Sequence, residues 1–166
     1  CKSRIDGLKS ELNWIPAETS GAAIQRNEAF RQSIGTEFVL FMDDDILLEP
    51  DCLSRLEQTL RGEDEIGGVN CVLTNQSFAS PSAATLLVWR LLASEWLASE
   101  QFAGRCIGPV VNLLPPLIPN CSEIMEVDWM NTTCVLYRKD ALPEPPFPDH
   151  FHGYSLFEDV SLSLTV

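Results

Sequence analysis

The apolar run Phe38-Val39-Leu40-Phe41-Met42 stops abruptly at Asp43-Asp44-Asp45. Rich in aromatic and β-branched residues and free of polar ones, the run reads as a strand covered on both faces, the kind found in parallel sheets. In open α/β sheets, ligands bind just beyond the carboxyl ends of such strands. Carboxylates gathered there repel one another unless a cation joins them. A hard ion, Mg2+ or Mn2+, held by one or two carboxylates and by substrate phosphates removes that conflict. The plainer reading makes Asp45 a helix cap whose acidic neighbours complement the helix dipole.

With 166 residues, 45% of them apolar and 21% charged, the chain has room for one sizeable core and is globular rather than disordered. It opens at Cys1 without a methionine and closes inside the apolar pattern Val160 to Val166. The expectation is therefore a single domain over 1–166, truncated at both ends. A net charge of −13 argues against nucleic acid as a partner, because no basic stripe neutralises phosphates. An acidic protein that handles a phosphorylated ligand needs a metal or a few local cations, which fits the aspartates.

None of the six cysteines forms a C-x-x-C pair. Cys52, Cys71 and Cys134 lie in apolar segments, where a free thiol behaves as a small hydrophobe, so reduced core thiols are expected ahead of a metal site or disulfides. No apolar stretch is long enough to span a bilayer. The expected compartment is the cytoplasm, or the inner face of a membrane.

Along the chain, Leu12 to Ile15 suggests a short strand. Gly21 to Ile34 reads as a helix with Ala23, Asn27, Phe30 and Ile34 on one face and Gly35 closing it. After the aspartates, Pro50 suits a first helical turn, and Leu53, Leu56 and Leu60 mark the core face of a helix ending at Gly62. Ile66 to Leu73 and Thr132 to Tyr137 read as strands, with Gly67-Gly68 weakening the first. Thr85 to Phe102 is a helix carrying Trp89 and Trp96. That stripe is core packing in the plainer reading, and an interface with a partner or a membrane surface in the other. Prolines make Cys106 to Cys121 a rigid loop, and Leu156 opens a last helix with acids at its start. Alternating strands and helices predict an α/β domain with a mostly parallel sheet.

The order Gly21…Arg26-Asn27…Gly35, Phe38 to Asp45, Pro50-Asp51, Val127-Asp128-Trp129 and Phe157-Glu158-Asp159-Val160 resembles family 2 glycosyltransferases of the GT-A fold over roughly residues 20 to 166. The resemblance implies a mixed, mostly parallel sheet flanked by helices, with N-terminal strand or strands upstream of Cys1. It places a D-x-D pair, Asp43 and Asp45, on the metal and the donor diphosphate, with Asp43 also near the donor sugar. Asp44, alternating to the other face, is structural or sugar-binding. It puts the general base on Asp159, with Glu158 contacting the acceptor or orienting the loop. Arg26 and Asn27 fall on the donor side, and Asp128 and Trp129 on the acceptor side.

Each role has a physical reason and a plainer competitor. The charge growing on a diphosphate leaving group is offset by a cation. A hydroxyl becomes a good nucleophile when a carboxylate draws off its proton in the transition state. Against this, Glu158 and Asp159 would also suit a helix dipole, Arg26 a solvated helix face, and Trp129 a core position. His150 and His152 flank Phe151 in a loop; one reading makes one of them a metal ligand, the plainer reading makes both polar surface, and neither is assigned a role. The expected activity is inverting transfer of a sugar from a nucleotide diphosphate sugar to a saccharide or lipid-linked acceptor, with Mg2+ or Mn2+ as cofactor and with peripheral membrane association as a second feature. The alternatives are a non-catalytic sugar- or nucleotide-binding domain of the same fold, and a nucleotidyltransferase.

Overall fold

The computed structural model describes residues 13–16, 18–74, 81–94, 104–107, 110–111, 124–148, 150 and 157–166. Trp96, His152, the proline-rich stretch 112–120 and the beginning of the expected first strand lie outside them; residues 13–16 carry no regular structure. The elements run α1 (Ala22–Gln32), β1 (Phe38–Met42), α2 (Cys52–Gly62), β2 (Gly68–Asn70), α3 (Ala83–Ala93), β3 (Cys106–Ile107), β4 (Val110–Val111), β5 (Cys134–Arg138) and α4 (Glu158–Ser163).

The central sheet has the order β1-β5-β2, and both pairings are antiparallel. The expected parallel pairing is thus corrected: β3 and β4 are also antiparallel, and no parallel pair occurs among the described residues. The physical reason lies in the topology. The crossover β1-α2-β2 does send β1 and β2 the same way, as strand-helix-strand alternation implies. A strand from much later in the chain, β5, then enters between them in the opposite sense. Burial on both faces marks a central, covered strand, and β5 meets that description as well as a parallel strand would.

Side chains alternate across the sheet and divide it into two cores. Val39, Phe41, Val135 and Tyr137 point to one face, where Ala23 and Phe30 of α1, Leu162 of α4 and Phe147 cover them. Phe38, Leu40, Cys134 and Leu136 point to the other, where Leu56 and Leu60 of α2 pack. Tyr137 and Phe147 are fully buried and both lie edge-on to Phe41. Gly68 stands opposite Tyr137, and a Cβ there would come within 2.5 Å of the tyrosine ring. This glycine leaves space for the ring and does more than weaken a strand.

Two helix faces come out narrower than their sequence pattern. Ile34 falls past the end of α1 and is exposed, and Leu53 of α2 is half-exposed while Leu56 and Leu60 are buried. Helix α3 stops at Ala93, where Ser94 adopts the left-handed conformation. Trp89 is its buried residue, whereas Leu87, Val88, Leu91 and Leu92 are exposed. No helix of the described residues is long and apolar enough to cross a membrane.

Candidate active site

Strand alternation fixes where the aspartates go. Asp43 follows Val39 and Phe41 on the face under α1, and its amide donates to the Thr133 carbonyl at 3.0 Å, extending the β1–β5 ladder by one bond. Asp44 and Asp45 then turn outward into solvent. Helix α2 begins seven residues after Asp45, behind Asp51, so Asp45 caps no helix. The cap reading of the acidic triplet is ruled out by that placement.

On α1, Arg26 faces the strand end. Its guanidinium donates to Asp43 Oδ1 at 2.9 Å and to Glu158 Oε1 at 2.6 Å. One side chain thereby joins the acidic turn after β1 to the acidic start of α4, with the Arg26–Glu158 bond spanning 132 residues of sequence. The Arg26 and Glu158 side chains are only 17% and 10% exposed, so this is a largely dry ion pair in which each charge depends on the other. Its neighbour Asn27 is buried and makes two bonds with the Phe147 backbone: the amide nitrogen donates to the carbonyl at 2.8 Å, and the amide oxygen accepts from the N–H at 3.0 Å. The Phe147 ring in turn lies 5.7 Å from the Arg26 guanidinium. Asn27 thus pins the proline-rich turn, and the turn's phenylalanine supports Arg26.

Helix α4 presents both its acids at its first turn. Burial pushes the Glu158 carboxyl up, against the pull of Arg26, and its Oε2 is buried without a hydrogen-bond partner among the described residues. Burial likewise raises Asp159, opposed by backbone N–H groups, one of them Val160 donating to Oδ1 at 2.9 Å. A carboxylate raised this way is a stronger base than one in water, and its proton affinity moves toward neutral conditions. Ser163 fixes the helix from behind: its hydroxyl donates to the Asp159 carbonyl at 2.9 Å and accepts from the Met130 amide at 2.9 Å.

Asp128 and Trp129 belong to a neighbouring segment. Asp128 Oδ2 accepts from the Cys106 amide at 2.7 Å and lies 3.4 Å from Arg105 Nε, while both backbone amides donate to the Gly104 carbonyl. Trp129 is 7% exposed and so sits in the protein interior. The structure brings Arg26, Asp43, Glu158 and Asp159 together; it ties Asp128 and Trp129 to the 104–106 turn. His150 is exposed.

The acidic turn suits a hard cation. Such an ion needs one or two carboxylates and takes its remaining ligands from phosphate and water. Asp45 is exposed and makes no ion pair or hydrogen bond among the described residues, and Asp43 has one oxygen held by Arg26. No third carboxylate of the described residues closes a cage around them, so the set fits an ion shared with a phosphorylated ligand. A cavity of about 640 Å3, lined by Phe30, Glu37, Arg138 and Lys139 among others, opens at the opposite end of the strands and contains none of these groups.

Sequence reasoning missed the convergence of Cys52, Cys71 and Cys134, whose sulfur atoms lie within 4.8 Å of one another. The period-2 pattern on β5 and the start of α2 beside it were the available signals. It also missed Tyr137, whose buried hydroxyl lies within reach of Ser163 and whose pKa is pushed up to about 12 by burial, with Asp159 adding to the rise.

No curated protein and no solved structure matches the chain. Residues 12–95, which carry α1, β1, the aspartates and α2 through α3, match the sequence profile of Glycosyl transferase family 2. That match covers half of the chain, and the protein belongs to glycosyl transferase family 2.

Proposed function

We propose that the chain is the catalytic domain of an inverting glycosyltransferase, moving a sugar from a nucleotide diphosphate donor to a hydroxyl of a saccharide or lipid-linked acceptor. The observation that carries this reading is the bridge made by Arg26, which holds the D-D-D turn and the E-D helix at one place. Two acidic patches with different tasks then border one site.

Asp45, with Asp43, would hold Mg2+ or Mn2+ beside the donor diphosphate, where the ion offsets charge growing on the leaving group. Asp44, exposed on the same turn, contacts the donor sugar. Asp159 takes the proton of the acceptor hydroxyl as that oxygen attacks the anomeric carbon from the side opposite the diphosphate. One displacement, with one base and no protein nucleophile, inverts the configuration. Glu158 orients the α4 terminus through Arg26, and Arg26 keeps Asp43 in place and lends positive charge to the donor side. Asn27 acts through the Phe147 backbone, and Asp128 with Trp129 shapes the acceptor side from the 104–106 turn. The exposed apolar side of α3 supports docking at a membrane surface, which suits a lipid-linked acceptor.

The test is a thermal-shift panel of nucleoside diphosphates with and without Mn2+, because a ligand that binds only the folded state raises apparent stability. A rise that needs both nucleotide and Mn2+, and that Asp45→Asn abolishes, is expected. Absence of any shift across the panel would overturn the donor assignment. Binding without transfer to any acceptor would favour a non-catalytic domain.

A further inference from the structure

We propose that Cys52, Cys71 and Cys134 form a binding site for one thiophilic cation of the d10 class, Zn2+ or Cu+, separate from the acidic site.

The three thiols come from three elements far apart in sequence. Cys52 is the first residue of α2, Cys71 directly follows β2, and Cys134 opens β5. Each is free, Cys134 is buried, and Cys52 and Cys71 are partly exposed, so the cluster is anchored in the core and open on one side. The Cys71 amide donates to the Cys134 carbonyl at 3.3 Å, which fixes these two backbones relative to each other.

The distances suit a shared ion. With metal–sulfur bonds of about 2.3 Å, neighbouring thiolates around one ion stand about 3.8–4.0 Å apart. The sulfurs already lie within 4.8 Å of one another, so closing on an ion takes movements of under about 1 Å. Soft thiolates select Zn2+ or Cu+ over Mg2+ and Mn2+, which prefer the oxygen ligands of the acidic turn. Three protein ligands with one side open also leave room for a water or a fourth donor on Zn2+.

The metal-free state is compatible with the core. Burial raises all three thiols, Cys71 to about 11, so without an ion they are neutral and pack as small apolar groups. On binding, three S–H bonds are exchanged for three metal–sulfur bonds, and the three protons pass to solvent. The consequence for the fold is a clamp joining the start of α2, the end of β2 and the start of β5. Cys134 pairs in register with Met42, the residue before Asp43, so the clamp lies at the end of the sheet that carries the acidic turn.

The experiment uses the intact protein with Cys1, Cys106 and Cys121 changed to Ser, leaving only the three clustered thiols. Zn2+ is titrated against a chromogenic chelator, and Cu+ is titrated anaerobically against a Cu+ chelator. One equivalent of at least one of these ions should bind, survive millimolar Mg2+, and weaken at least tenfold in Cys71→Ser that retains its circular dichroism. If Cys71→Ser unfolds, Cys52→Ser, on the partly exposed first turn of α2, is read in its place. Failure to bind either ion stoichiometrically, or unchanged affinity in the folded variant, overturns the site.

Discussion

The face of the sheet under α1 and α4 and the face under α2 share the strands β1 and β5, yet one ends in ionised groups and the other in thiols. On the first, Val39, Phe41, Val135 and Tyr137 lead out to Asp43, Arg26, Glu158 and Asp159. On the second, Leu40 and Leu136 lead out to Cys52, Cys71 and Cys134. A buried charge requires a partner, so Arg26 and Glu158 on the acidic face depend on each other, and removing either alone leaves the other unpaired in a largely dry position. A neutral thiol requires none, and its face is tolerant. The chemistry proposed above lies on the face that holds the Arg26–Glu158 pair.

The largest effect that would break this contrast is on turnover. Asp159→Asn keeps the shape of the side chain and removes the base, and transfer should fall by about 10²–10⁴-fold with the far-ultraviolet spectrum unchanged. Wild-type rates in this variant would remove Asp159 from the reaction. Next comes Arg26→Met, which strands Glu158 in a largely dry position. Urea unfolding at neutral pH should show a loss of about 3 kcal/mol, much of it restored in Arg26→Met/Glu158→Gln. A loss below about 1 kcal/mol would mean the bridge behaves as a solvent-exposed pair. Smaller again is a pair of glycine changes that compares packing. Gly68→Ala drives a methyl into the Tyr137 ring and the Met130 side chain and should cost about 1–3 kcal/mol. Gly62→Ala, at the end of α2, meets open space and should be neutral or gain up to about 1 kcal/mol from helix propensity.

How far the sequence told this story depends on which interactions are local. The first helix ends at Gln32, short of the expected Ile34, and α4 starts at Glu158, after a left-handed Phe157, where the sequence pattern opens it at Leu156. The strand Phe38–Met42 is written in a short pattern and stands where that pattern puts it. The acidic turn was legible for the same reason. The direction of β5 was not, because a five-residue buried strand carries no mark of whether its neighbours run with it or against it. Nor was the Arg26 bridge: two carboxylates, 17 and 132 residues away, compete for one guanidinium only once the sheet has closed. Asn27 shows the limit plainly. Its helix position was clear from spacing, but its bonds to Phe147 depend on a turn 120 residues later. The thiol cluster is likewise a product of three elements meeting.

The smallest predicted effect uses pH to separate the two faces. Burial raises the Glu158 and Asp159 carboxyls, so the folded chain holds those protons more tightly than the unfolded chain. Stability from this source is fully present below the ordinary carboxylate range and is lost as pH rises through the raised values. The thiols follow the same sign at the other end of the scale. Cys71, raised from 9.0 to about 11, contributes stability that is fully present below its ordinary value and lost as pH climbs through about 11. Each group changes the slope of stability against pH by at most one proton, about 1.4 kcal/mol per pH unit. Urea unfolding across pH, with a chelator present to keep the thiols free, should therefore show Asp159→Asn flattening only the acid limb and Cys71→Ser flattening only the alkaline one. An acid limb unchanged by Asp159→Asn would mean that its carboxyl is solvated in the folded protein, and the basis for treating it as a strengthened base would be lost with it.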